Sequence, residues 1–192
     1  MKHRIAVFAS GSGTNFEAIA RACADGALNA SVELLVCDNP SAAVIDRARR
    51  FGIRTFVFMP KSYPSKAAFE YEIAALLDSL GVEMIALAGY MRIVGDTLMA
   101  AYGGRILNIH PALLPAFKGA HAIRDSFEFG VKVFGVTVHY IDETIDGGTI
   151  VAQRAFEYYG RDIEEVERRI HEIEHVLYVE ALDSELKKLE NI

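Results

Sequence analysis

No apolar run in this 192-residue chain approaches the ~18 residues that a membrane-crossing helix needs, and no charged start followed by an apolar stretch opens it. Neither a signal peptide nor a membrane span is expected. Basic runs are missing too. The 20 Lys and Arg stand against 26 Asp and Glu, a formal net charge of −6. That balance argues against nucleic-acid or membrane-surface binding, yet leaves room for a local basic patch around an anionic substrate. Cysteine is scarce: Cys23 and Cys37 are the only two, neither has a CxxC partner, and both read as reduced residues of a cytoplasmic protein. No metal is expected. Internal repeats, low-complexity tracts and linkers are lacking as well. With 52% hydrophobic residues the chain has enough for one sizeable core, and residues 1–192 read as a single domain.

What is present is an alternation of strand and helix. Ile5 to Ala9, Val32 to Cys37, Arg54 to Phe58 and Met84 to Ala88 are strand-like; Phe16 to Ala24, Ala42 to Arg50 and Ser65 to Leu80 read as helices. Such alternation implies an α/β fold, a doubly wound, mostly parallel sheet flanked by helices, and argues against an all-β sandwich. A last helix is expected over Ile163 to Leu189, with Ile163, Val166, Ile170, Ile173 and Leu177 forming one apolar stripe. Glu174 lies beside that stripe. A carboxylate there needs a partner, either a substrate hydroxyl or amine, or a helix N-terminus or Arg.

Gly11, Ser12, Gly13, Thr14 and Asn15 follow the first strand directly and open the first helix. Glycines let the backbone approach a phosphate, and helix N-terminal N–H groups point at it. Thr14 and Asn15 are expected to cap the helix as well as donate to a ligand. A side chain at Gly13 is expected to fill the phosphate space. The dinucleotide fingerprint is the rival reading: Gly11 and Gly13 fit its first half, and Asp38 stands roughly where a ribose-binding acid belongs, but Phe16 occupies the third glycine position. A plain structural turn is the third reading.

The decisive stretch runs from Arg105 to Gln153. Asn108 and His110 interrupt the buried-strand run of Ile106, Leu107 and Ile109, and their two-residue spacing turns both to one face. Pro111 should end the strand. Both polar residues therefore sit at a carboxyl end, where open parallel sheets bind ligands. Asn can hold an oxyanion and His can move a proton. The bland alternative is a pair bonded to loop backbone. Asp146, in the IDGG turn after the strand-like Val133 to Tyr140, completes a plausible proton-transfer set. Its carboxylate is expected to favour the charged imidazolium of His110, directly or through a water. Met91, Arg92, Ile93 and Val94, after Gly89, offer apolar contact and backbone hydrogen-bond groups, the mix that suits a flat heterocycle; core packing is the alternative. His139 reads as structural.

LNIHPALLP followed by HYIDETIDGG resembles the phosphoribosylglycinamide formyltransferase family, and the resemblance runs from about Arg4 to Leu182. It implies a Rossmann-like formyltransferase fold. It also implies transfer of a formyl group from 10-formyltetrahydrofolate, as co-substrate, to the amine of glycinamide ribonucleotide, a step of de novo purine biosynthesis. On this resemblance the catalytic set is Asn108, His110 and Asp146. The ribonucleotide is held by Gly11, Ser12, Gly13, Thr14, Asn15 and Glu174. The folate is held by Lys66, Met91, Arg92, Ile93, Val94, Asn108, Asp142, Glu143 and Thr144. Small-molecule substrates, no metal, no nicotinamide, no nucleic acid, no membrane, and a monomer or homodimer are expected. The chain departs from many relatives at Lys118, at Ile123 in place of histidine, and at Thr149 in place of proline; Lys118 and His121 read either as ligand contacts or as exposed. Methionyl-tRNA formyltransferase would carry a further RNA-binding domain, and formyltetrahydrofolate hydrolase a preceding regulatory domain. A dinucleotide oxidoreductase and a non-catalytic nucleotide-binding module are rivals from other classes.

Overall fold

A computed structural model describes residues Lys2–Glu190. Its centre is a seven-stranded sheet. Strands β1 (His3–Phe8), β2 (Ala30–Cys37), β3 (Thr55–Val57), β4 (Met84–Leu87) and β5 (Ile106–His110) run parallel, and β6 (Val133–Tyr140) and β7 (Ile150–Glu157) continue it antiparallel, in the order β3-β2-β1-β4-β5-β6-β7. The helices are α1 (Thr14–Ala24), α2 (Val44–Arg50), α3 (Lys66–Ser79), α4 (Asp96–Tyr102), α5 (Ala122–Phe129) and α6 (Ile163–Leu189).

Alternation along the strands builds two hydrophobic layers. From β1, Ile5 and Val7 face a cluster that takes in Phe16 and Ile19 of α1, Val44 of α2, and Val166, Ile170, Leu177 and Tyr178 of α6. Ala6 and Phe8 face the opposite cluster, with Phe69, Ile73 and Leu77 of α3 and Leu98 and Tyr102 of α4. Helices on both faces explain why β4 and the Ile5–Phe8 part of β1 are uninterruptedly apolar. Helix α6 starts at Asp162, whose carboxylate accepts from the Glu164 N–H. Glu164 and Glu165 in its first turn and Lys187 and Lys188 in its last complement the helix dipole.

The expected strands and helices are all present, within about two residues of their ends, with the last helix running Ile163–Leu189 as read. The third strand is shorter than expected, Thr55–Val57, at a sheet edge where Thr55 and Val57 are exposed. Strand β7 and helix α4 go beyond the elements expected from the sequence. Thr14 and Asn15 do not cap α1. The cap position belongs to Gly13, in the left-handed conformation at φ 75°, with no side-chain cap bond, and both residues lie within the helix.

Candidate functional site

The sheet reverses its winding between β1 and β4, and the loops leaving their carboxyl ends are tied together. Ser10 donates its N–H to the Gly89 carbonyl at 3.0 Å, and the Ser10 hydroxyl accepts from the Met91 N–H at 2.9 Å. The glycine loop is thus fastened to the start of the Met91–Val94 segment. Arg47 Nε donates to the Ser12 carbonyl at 2.7 Å, which puts a guanidinium beside the loop in an otherwise acidic chain. Nothing in the sequence spacing couples α2 to this turn, so Arg47 is not among the residues expected from the sequence.

Gly13 corrects one expectation. A Cβ built on it would lie 2.5 Å from Val44 Cβ and 3.0 Å from Val44 Cα, so a side chain there collides with α2 instead of filling phosphate space. Gly11 is the position whose Cβ would meet nothing within 4 Å. Asn15 Nδ2 donates to Glu174 Oε2 at 3.1 Å, and the same carboxylate oxygen lies 2.9 Å from His171 Nδ1. The buried Glu174 is therefore held by Asn15 and His171, with no helix N-terminus or Arg bonded to it among the described residues. The hydrogen bond to Glu174 raises the pKa of His171. Asn15 Oδ1 and His175 Nε2 are buried and have no hydrogen-bond partner among the described residues.

Strand β5 delivers Asn108 and His110 next to β6, in a register that sets Asn108 opposite His139 and His110 opposite Thr137. His139 Nδ1 lies 2.8 Å from the Tyr140 carbonyl, which fixes the proton on Nδ1 and leaves Nε2 as an acceptor. Asn108 Nδ2 uses it at 3.2 Å. One of the two amide N–H bonds is so engaged, and the other is left for a ligand. Burial lowers the pKa of His139 and keeps it neutral. His139, read from the sequence as structural, stands beside Asn108 and orients its amide. Its position two residues from Thr137 on an apolar strand was the signal, once β6 is paired with β5.

His110 is buried. Its Nε2–H donates to the Phe117 carbonyl at 2.8 Å, and its Nδ1 lies 3.4 Å from Asp146 Oδ2. That Oδ2 also accepts from the Gly119 N–H at 2.8 Å, and Asp146 Oδ1 is 3.7 Å from His139 Nε2. Asp146 and Phe117 both hold positive φ, 48° and 51°, uncommon for residues with a Cβ. Asn108, His110 and Asp146 come together, Asp146 facing His110 directly, and the 111–119 loop meets them through the Phe117 carbonyl and the Gly119 N–H.

The remaining candidates lie around this centre. Met91 and Ile93 are exposed, at 72% and 68%, while Val94 packs with Tyr90 and Ile141 against the α3–α4 side of the core. Arg92 Nε bonds Asp38 Oδ2 at 2.6 Å, so the carboxylate that a dinucleotide would need is already engaged. Lys66 opens α3 exposed, its Cε 2.8 Å from where a Cβ on Gly95 would stand. Asp142 Oδ1 accepts from the Thr144 N–H and hydroxyl at 2.8 and 2.7 Å, and these bonds lower the Asp142 pKa. Glu143, Lys118 and His121 are exposed. A cavity of about 370 Å³ borders the loop that carries Phe117, but Asn108, His110 and Asp146 do not line it. Among the described residues no group of three or more His, Cys, Asp or Glu is placed to hold a metal ion, both cysteines are free, and no helix is long and apolar enough to cross a membrane.

This geometry has close counterparts. The formyl transferase family model matches residues 3–182. The chain is 56% identical to phosphoribosylglycinamide formyltransferase of Bacillus subtilis over 176 residues, covering 91% of this chain and 90% of that protein. The crystal structure of glycinamide ribonucleotide transformylase 1 from Geobacillus kaustophilus superposes with a TM-score of 0.93 at 55% identity, covering 96% and 98% of the two chains. That of phosphoribosylglycinamide formyltransferase from Bacillus halodurans also gives 0.93, at 47% identity and 98% coverage of each.

Proposed function

The chain belongs to the formyl transferase family, and on that premise we propose that it moves the formyl group of 10-formyltetrahydrofolate to the amine of glycinamide ribonucleotide, as a phosphoribosylglycinamide formyltransferase of purine biosynthesis. The observation that carries the mechanism is the contact of Asp146 Oδ2 with His110 Nδ1 at 3.4 Å, beside an Asn108 amide whose orientation is set by His139.

In this reading the ribonucleotide phosphate rests on the N–H groups of the Gly11–Asn15 loop with Arg47 behind it. Glu174, held by Asn15, meets a hydroxyl or the amine of the same substrate. The folate ring lies along Met91–Val94, with Asp142, Glu143 and Thr144 on the opposite wall and Lys66 at the rim. The amine nitrogen adds to the formyl carbon, and the carbonyl π electrons move onto oxygen. The free Asn108 N–H donates to that oxyanion, where a preorganised donor works best. A proton leaves the adding nitrogen and one reaches the folate nitrogen as its bond to carbon breaks; His110 handles the proton through Nε2, which exchanges the Phe117 carbonyl for the substrate in that step. Asp146 supplies the negative charge that supports His110 while it carries the extra proton. Its bond to Gly119 holds the loop whose Phe117 carbonyl orients the same ring. No nicotinamide and no metal enters these steps.

The test is an assay of tetrahydrofolate release from 10-formyltetrahydrofolate with and without glycinamide ribonucleotide. Release only with the ribonucleotide supports the transferase. Equal release without it identifies a hydrolase, and binding without release identifies a non-catalytic module.

A further inference from the structure

Tyr178 takes no part in the chemistry above. It lies on α6 four residues after Glu174, one helical turn along, and it is fully buried. Its hydroxyl is 2.9 Å from the carbonyl oxygen of Leu87 and 2.9 Å from that of Leu107. A phenol has one hydrogen, shared here between two acceptors on neighbouring strands. Leu87 ends β4, and in the parallel ladder it stands opposite Asn108 of β5. Each carbonyl belongs to a peptide that runs on into the site. The Leu87 carbonyl shares its plane with the Ala88 N–H, which donates to Phe8 and leads into Gly89 and the Met91–Val94 segment. The Leu107 carbonyl shares its plane with the Asn108 N–H. Burial raises the Tyr178 pKa well above the ordinary phenol value, so the O–H donor is present throughout the working pH range.

We propose that Tyr178 is a positioning residue for the transfer reaction: its hydroxyl fixes the carboxyl ends of β4 and β5 relative to each other, so that the Met91–Val94 segment and the Asn108 amide meet one formyl group at a set separation. This rests on the formyl-transfer reading. Parallel strands this short, of four and five residues, have little ladder beyond the site to hold their ends. The same α6 turn anchors the glycine loop through Glu174 and Asn15, so one rigid helix references all three parts of the site. Misplacing a reacting group by ~1 Å costs up to ~10²-fold in rate. A hydroxyl that served stability alone would lower the unfolding temperature without changing turnover per folded molecule.

Tyr178→Phe keeps the ring and removes the donor. The expected result is a kcat lower by about 10- to 100-fold, KM for both substrates within about twofold, and a pH–rate profile of unchanged shape. Added to Asn108→Ala, the same change should cost only a few-fold, because the two act as a unit. Amide hydrogen exchange supplies a reading that does not depend on substrate. Ala88 and Asn108 should exchange faster in the variant while Val36, in the interior of β2, stays as in the parent. A kcat at the parent value, or losses that multiply in the double variant, overturns the proposal. If the parent releases no tetrahydrofolate, it is the transfer reading that fails. In that case unchanged exchange at Ala88 and Asn108 overturns the strand-setting role, and faster exchange upholds it.

Discussion

Alanine at Gly13 and at Gly11 should separate folding from ligand binding within a single loop. Gly13 has φ 75°, and a Cβ there would stand 2.5 Å from Val44 Cβ. Holding a residue with a Cβ in the left-handed region costs about 1–2 kcal/mol. Pressing an extra carbon into packed side chains costs about 1–3 kcal/mol more, and Val44 has little freedom because it starts α2 and donates its N–H to the Gly11 carbonyl. The two terms give a loss of roughly 2–5 kcal/mol, which for a chain of this size lowers Tm by roughly 5–15 °C. Gly11 has neither problem: its Cβ meets nothing within 4 Å and its φ is not positive. Gly11→Ala should therefore unfold within about 1 °C of the parent. Its methyl group instead stands in open space, which on the proposed reading is where the phosphate rests. Displacing a phosphate from one such charge-assisted bond, at about 1.5–3 kcal/mol, weakens ribonucleotide binding by about 10- to 150-fold. Folate binding should be unchanged.

The assays are thermal unfolding and calorimetric titration of each substrate, on both variants. A Gly13→Ala protein that melts with the parent would refute the collision with Val44. A Gly11→Ala protein that binds both substrates like the parent, or loses both equally, would refute the phosphate cradle.

Asp146→Asn keeps an acceptor for the Gly119 N–H but removes the charge 3.4 Å from His110 Nδ1. It should lower kcat by about 10²-fold or more with little effect on folate binding, and His110→Ala should cost less in that background than alone; additive losses would assign Asp146 to holding the loop only. His139→Gln carries the pH prediction. Burial depresses the folded pKa of His139 below the unfolded value of about 6.5, so its contribution to stability is complete above that pH and declines as pH falls towards the folded pKa. The Tm difference between parent and variant should then be largest at and above neutrality and shrink on acidification, and a difference that grows on acidification would refute the neutral, Asn108-bound ring.

How much of this could be read beforehand depends on whether a feature is local. The parallel half of the sheet was legible because each buried strand and each amphipathic helix carries its own periodicity, and the Ile163–Leu189 helix could be bounded because its stripe is long and its Asp162 cap is next to it. Asn108 and His110 were legible as a same-face pair for the same reason. What escaped depends on partners distant in sequence. Strand β7 is largely exposed on its faces, so its apolar pattern is weak and only pairing with β6 defines it. His139 looks like a core histidine until β6 is placed in antiparallel register with Asn108 opposite. The direction of the Gly13 Cβ depends on Val44, thirty-one residues away, because the glycine loop packs on α2 as closely as it would on a ligand. Glu174 needs a partner by its place in the sequence, but that the partner is Asn15, in the first turn of α1 directly after the glycine loop, follows only from α6 returning across the sheet to α1. That return is the reason a helix at the far end of the chain can hold the first loop and, through Tyr178, the ends of the two central strands as one rigid unit.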